Sequence, residues 1–158
     1  MINMDEFVNE LQMQLDEQTS AAYGKDAMKR WRNPPHLGQP AKANCQGAAT
    51  GSCGETIQIF LHIEDDTVQD AGFLTDGCGA SVISGSMAAE LALHKRCDDL
   101  TAITGKAVRD GLGGLMEEDD HCARLAANAL HDAVGDYFKR TLQTGGKDGE
   151  QRFPTETT

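Results

Sequence analysis

The chain has 158 residues, 39% hydrophobic and 25% charged, which fits one soluble globular domain able to close a core without staples. A formal net charge of -11 repels phosphate backbones and argues against nucleic-acid binding; the short basic run Lys29–Arg32 does not change that. No apolar stretch approaches a membrane span, and the first basic residue, Lys25, follows five acidic ones, so no signal or transit peptide is expected and the expected setting is cytoplasmic.

Taken in order, residues 1–18 carry Ile2, Phe7, Val8, Leu11 and Leu15 roughly on one helical face. This predicts a short amphipathic helix, a frayed arm that helps pack a homodimer, or a loosely attached extension, and the last is the reading taken. A second helix is expected from Ser20, bearing Tyr23, Ala27, Met28 and Trp31, until Asn33–Pro35 stops it. A weak strand is expected around Cys45–Ala49.

Ile57, Ile59, Leu61 and Ile63 then alternate on one face of a strand, and Val68–Thr75 reads as its partner beyond "EDDT". A two-residue loop at Asp65–Asp66 pairs Ile63 with Val68 and Ile57 with Leu74. The same register brings Cys53 opposite Cys78, give or take a bulge. After Cys78 a helix of small residues turns Val82, Ile83, Met87 and Leu91 inward. Asp98 and Asp99 are expected to cap a further helix bearing Leu100, Ile103 and Val108, ended by Gly111–Gly114. A last helix repeats Cys122, Ala126, Ala129, Ala133 and Tyr137 at helical spacing. Strands first and helices afterwards predict an α+β fold: a small antiparallel sheet of about three strands with helices packed on one face. The expected organisation is an extension over 1–18, one domain over 19–142 and a disordered tail over 143–158.

Five cysteines, an odd number without a C-x-x-C pair, argue against a disulfide framework, a thioredoxin motif or a zinc knuckle. Cys78 and Cys122 each fall at or just before a predicted helix N-terminus, where free N–H groups and the dipole favour a thiolate. Cys53 is followed closely by Glu55, and His121 immediately precedes Cys122. Three thiolates plus one histidine or carboxylate would satisfy tetrahedral zinc or the terminal positions of an iron–sulfur cluster. Spacing alone leaves three unrelated thiols equally open. Cys45, Cys97, His62, His94 and His131 are read as structural or solvated, with His94 and His131 inside helices. No phosphate-binding glycine loop is present.

"SCGE" before the hairpin, "GCGAS" after it and "HC" opening the last helix resemble the IscU/NifU-type iron–sulfur cluster assembly scaffolds. "YGKDAMKRWRNPPHLG" is similar to that family's opening helix and its ending, and the likeness runs from about Ala21 to Arg140. It implies a carrier, not an enzyme, that builds a labile [2Fe-2S] cluster from iron and from sulfur supplied by a cysteine desulfurase. The cluster then passes to apo iron–sulfur acceptor proteins. Carried over, Cys53, Cys78 and Cys122 are cluster ligands and sulfur acceptors, and His121 or Glu55 is the fourth ligand.

Glu55 departs from the family's aspartate by one methylene. "LMEEDDHC" lacks the L-P-P-V-K motif read by the dedicated Hsp70-type chaperone, so that partner is not supported. His121 and the compact interval from Cys78 to Cys122 point away from the zinc-dependent SufU branch. The alternative function is a zinc-containing persulfide acceptor and relay using the same residues. A structural module with incidental thiols ranks last.

Overall fold

The computed structural model describes residues 3–23, 25–52, 54–77, 79–113 and 119–144. Helix α1 (Met4–Tyr23) is followed by α2 (Lys25–Arg32), and strands β1 (Cys45–Thr50), β2 (Thr56–Glu64) and β3 (Thr67–Thr75) come next. Helices α3 (Gly79–Ala92), α4 (Cys97–Leu100), α5 (Gly105–Gly111) and α6 (Asp120–Thr144) complete the described chain. The strands form one antiparallel sheet in the order β1-β2-β3, giving the α+β class expected from the sequence.

The hairpin turn falls where the sequence puts it. Asp65 and Asp66 both take positive φ, 54° and 60°, the twist-matching turn in which short polar side chains are tolerated. Ile63 pairs with Val68 as expected, but a bulge between His62 and Ile63 shifts the rest of the ladder by one residue. Ile57 therefore faces Thr75 rather than Leu74. Gln69 and Asp70 are consecutively exposed, after which Ala71 and Phe73 point inward and Leu74 outward. The bulge resolves an alternation that the uninterrupted register would have broken.

Ile57, Ile59, Leu61 and Ile63 meet Phe73, Ile83, Met87, Ala126, Ala129, Leu130 and Ala133 in one core between the sheet and helices α3 and α6. Phe60 points to the other face yet is also buried. Its cross-strand partner Gly72 abuts Gly38 and Pro40, so the segment after α2 crosses the second face there.

Both edges of the sheet are occupied, which leaves little unpaired backbone to recruit another strand. Phe73 donates to His36 O and accepts from Gly38 N, at 2.9 and 2.8 Å. Val68 makes the equivalent pair with Lys95 and His94 at the far end of β3. On the β1 side, Asp136 and Asp132 of α6 accept from Gln46 N and Ala48 N at 2.9 and 3.0 Å. Between them lies Gly47, where an added Cβ would stand 2.1 Å from Ala133 N and 2.6 Å from Ala129 O. Helix backbone thus rests directly on strand backbone, and only glycine permits that approach.

Other expectations need correction. α1 runs unbroken to Tyr23, so no new helix begins at Ser20, while Phe7, Val8 and Leu11 are exposed. Ile2, Gly114 and the tail from 145 lie outside the described residues. The segment read as one helix after Asp98 is two short ones. Asp98 and Asp99 sit inside the first turn of α4, whose N-cap is Arg96, and Thr104 caps α5 by accepting from Ala107 N. His94 lies beyond α3 with φ of 65°, not within a helix. Cys97, read from the sequence as a passive surface or half-buried thiol, is 2% exposed. No helix among the described residues is long and apolar enough to cross a membrane.

Candidate metal centre

The β1–β2 connection closes tightly: Gly51 N donates to Glu55 O at 2.8 Å and Gly54 N to Gly51 O at 2.9 Å. Beside it, Thr56 N donates to Asp76 Oδ1 at 2.8 Å and the Thr75 hydroxyl to Thr56 O at 2.6 Å. These bonds pin the open end of the hairpin, so the chain entering α3 passes over Glu55. A Cβ added at Gly77 would lie 2.5 Å from Ser81 Oγ and 3.3 Å from Glu55 Cβ. There is room for a glycine at this crossing and for nothing larger.

Helix α6 delivers the other half. Its first turn holds Asp120, His121 and Cys122, and Arg109 of α5 pairs with Asp120 at 2.7 Å. Cys122 is wholly buried, Glu55 has an 11% exposed side chain, and His121 is 39% exposed and leaves one side open. Cys122 Sγ lies 3.6 Å from Glu55 Oε2 and 3.6 Å from His121 Nε2. His121 Nε2 in turn lies 3.6 Å from Glu55 Oε1. Ser81, in the first turn of α3, donates its hydroxyl to Glu55 Oε2 at 2.7 Å and sits 3.5 Å from Cys122 Sγ.

The electrostatics favour anions. The N-terminal turns of α3 and α6 both reach this group and bring the positive ends of their helix dipoles to it. The Ser81 hydroxyl, then Cys122 and His121, hold the Glu55 carboxyl below its ordinary range despite partial burial. The carboxylate is ionised and aimed before any cation arrives.

Three donors of different type, one oxygen, one nitrogen and one sulfur, thus converge from two elements. Bonds of roughly 2.0–2.3 Å to a tetrahedral ion place neighbouring ligand atoms roughly 3.3–3.8 Å apart. Each 3.6 Å separation is of that edge length, with Cys122 Sγ facing Oε2 of Glu55 and His121 Nε2 facing Oε1, so the residue types and spacing suit a small divalent ion or an iron corner.

Of the residues singled out from the sequence, Glu55, His121 and Cys122 are brought together, and Cys53 and Cys78 lie outside the described residues. Ser81 was missed. Its signal was present three residues after Cys78, on the same face of the coming helix. Cys45 and Cys97 stand apart from this group as buried free thiols, and burial raises both pKa values, that of Cys45 to about 12. His62 pairs with Glu64, and His131 contacts Ile103 O at 2.8 Å.

Comparison with known proteins decides the family. The model of the NifU-like N terminal domain matches residues 22–144. The chain belongs to that family. Among curated relatives, Iron-sulfur cluster assembly scaffold protein IscU 1 of Archaeoglobus fulgidus is 34% identical over 119 residues, spanning 75% of this chain and 78% of that one. Iron-sulfur cluster assembly scaffold protein IscU of Aquifex aeolicus is 29% identical over 124 residues, 77% and 79% of the two chains. The fold agrees with the crystal structure of a NifU-like protein (N-terminal) from Brucella abortus. That match has a TM-score of 0.62 at 18% identity and covers 77% of this chain and 98% of that one. In this NifU-like frame, Glu55 and the His121–Cys122 pair occupy the junction of the β1–β2 loop with the start of α6.

Proposed function

We propose that the protein is an iron–sulfur cluster assembly scaffold. Its cargo is a [2Fe-2S] cluster bound by Cys53, Cys78 and Cys122, with His121 or Glu55 completing the set. The observation that carries this reading is a buried thiol, Cys122, facing a carboxylate and an imidazole at 3.6 Å in a chain of the NifU-like N-terminal family. The scaffold names of its relatives support it.

The local chemistry suits a cargo that must leave. The pre-ionised Glu55 attracts iron, and the two helix N-termini favour thiolate. Oxygen and nitrogen donors hold iron less firmly than a fourth thiolate would. The open side at His121 leaves a path for sulfur to enter and for the finished cluster to depart. Sulfur comes from a cysteine desulfurase and acceptors are apo iron–sulfur proteins, so the chain carries rather than turns over its substrate. The proposed setting is the cytoplasm, where thiols stay reduced.

The test is anaerobic reconstitution with iron, sulfide and dithiothreitol, on wild type and on Cys53→Ala, Cys78→Ala and Cys122→Ala separately. Each variant is expected to lose most of the visible cluster absorption. If all three reconstitute like wild type, the reading is overturned. The mixed donors at tetrahedral spacing also favour a second reading, a zinc-bound persulfide relay. There, Glu55, His121 and Cys122 hold the ion, which supplies positive charge to keep the thiol ionised. Persulfide formed by a desulfurase while zinc stays bound, with no transferable cluster, would select it.

A further inference from the structure

We propose that Ser81 is the positioning residue of this centre. Its hydroxyl fixes Oε2 of Glu55 and so presents Oε1 as a single-oxygen ligand on the side of His121 Nε2. This rests on the reading of Glu55, His121 and Cys122 as metal ligands and adds what decides how the carboxylate binds.

Ser81 is completely buried, so its hydroxyl must find its partner inside the protein. It has one proton to give, and the charged carboxylate at 2.7 Å is a stronger acceptor than the sulfur at 3.5 Å. A bond of that length engages Oε2, which also faces Cys122 Sγ at 3.6 Å, and leaves the other oxygen, Oε1, on the side of His121, 3.6 Å from Nε2. Glu55 needs such a hold. It stands in a loop, and its two rotatable bonds beyond Cβ give the carboxylate several places to go. Ser81 stands in the first turn of a buried helix, a rigid point from which to aim it. The chain at Gly77 runs so close to both residues that an added Cβ there would meet Ser81 Oγ and Glu55 Cβ. A hydrogen bond to the second oxygen of a ligating carboxylate is the usual outer support of a metal site, and losing one costs roughly 10–100-fold in affinity.

Cobalt(II), whose visible bands report ligand geometry, is the probe for the full chain under anaerobic conditions. Wild type is expected to bind one equivalent with thiolate-to-cobalt charge transfer. Ser81→Ala should bind roughly 10–100-fold more weakly, with altered d–d bands. Alanine is the better helix former, and thermal unfolding of the metal-free variant checks its fold. Ser81→Thr keeps the hydroxyl and should restore affinity and spectrum. In a Glu55→Ala background, Ser81→Ala should cost nothing further, because the residue acts through the carboxylate. A general packing role would give equal losses in both backgrounds and would overturn the proposal. So would wild-type affinity and bands in Ser81→Ala. If wild type itself shows no thiolate charge transfer, the ligand reading fails and Ser81's role falls with it.

Discussion

Cys122 and Cys45 are both buried thiols, yet their surroundings assign them opposite chemistry. Cys122 faces an ionised carboxylate and an imidazole at the start of a helix, whereas Cys45 faces Leu61 O from within the core. Burial raises Cys45 to about 12 and raises Cys97 as well, so both stay protonated at neutral pH. Iodoacetamide at neutral pH should therefore spare Cys45 and Cys97 in the native protein and label all five cysteines after denaturation, as read by peptide mass spectrometry. Glu55 makes a pH prediction. Its folded pKa lies below the ordinary 4.5, so the stability it contributes is present above about pH 4.5 and is lost as pH falls from there through the depressed value. Denaturant unfolding of wild type and Glu55→Gln should differ at neutral pH and converge on acidification. A difference that persists at the lowest pH would remove the carboxylate from the stability account.

At the scale of elements, the contact of α6 with β1 sets where the centre forms. Gly47→Ala would drive a methyl group into the backbone of α6 and should destabilise the protein by about 3 kcal/mol, measured by urea unfolding. Asp132→Ala leaves Ala48 N without its carboxylate and, at an exposed bond, should cost about 1 kcal/mol. Neither contact could be read from the sequence, because each joins positions more than eighty residues apart. The isoleucine alternation of β2 and the Asp65–Asp66 turn were legible, since both are local signals. The bulge was not: Gln69 and Asp70 are equally polar, and only the burial of Phe73 shows which face each takes. The two acids at Asp98 and Asp99 looked like caps, but Thr104 has the extended backbone a cap requires. For the site, paired motifs located Glu55, His121 and Cys122. For Ser81 the sequence offers only its place three residues after Cys78, and its contact with Glu55 comes from the crossing of α3 over the β1–β2 loop.

For the whole molecule, the family match begins at residue 22, after most of α1. The exposed Phe7, Val8 and Leu11 contribute little burial to the core. Removing residues 1–18 should therefore leave the thermal midpoint of the remaining chain nearly unchanged, and a large drop would make the arm part of the fold. The core of sheet, α3 and α6 instead brings donors from the loop and from α6 within 3.6 Å of one another beside the partly exposed His121, where the proposed scaffold would hold its cluster. The most direct measurement of that role is cluster transfer. The reconstituted protein is mixed with an apo-ferredoxin in the presence of a chelator, and Mössbauer and circular dichroism spectra follow the iron. For a scaffold, a [2Fe-2S] signature should leave this chain and appear intact on the ferredoxin faster than the chelator takes the iron. A protein that forms no cluster, or keeps its metal as a single zinc ion with nothing transferred, would contradict the scaffold reading.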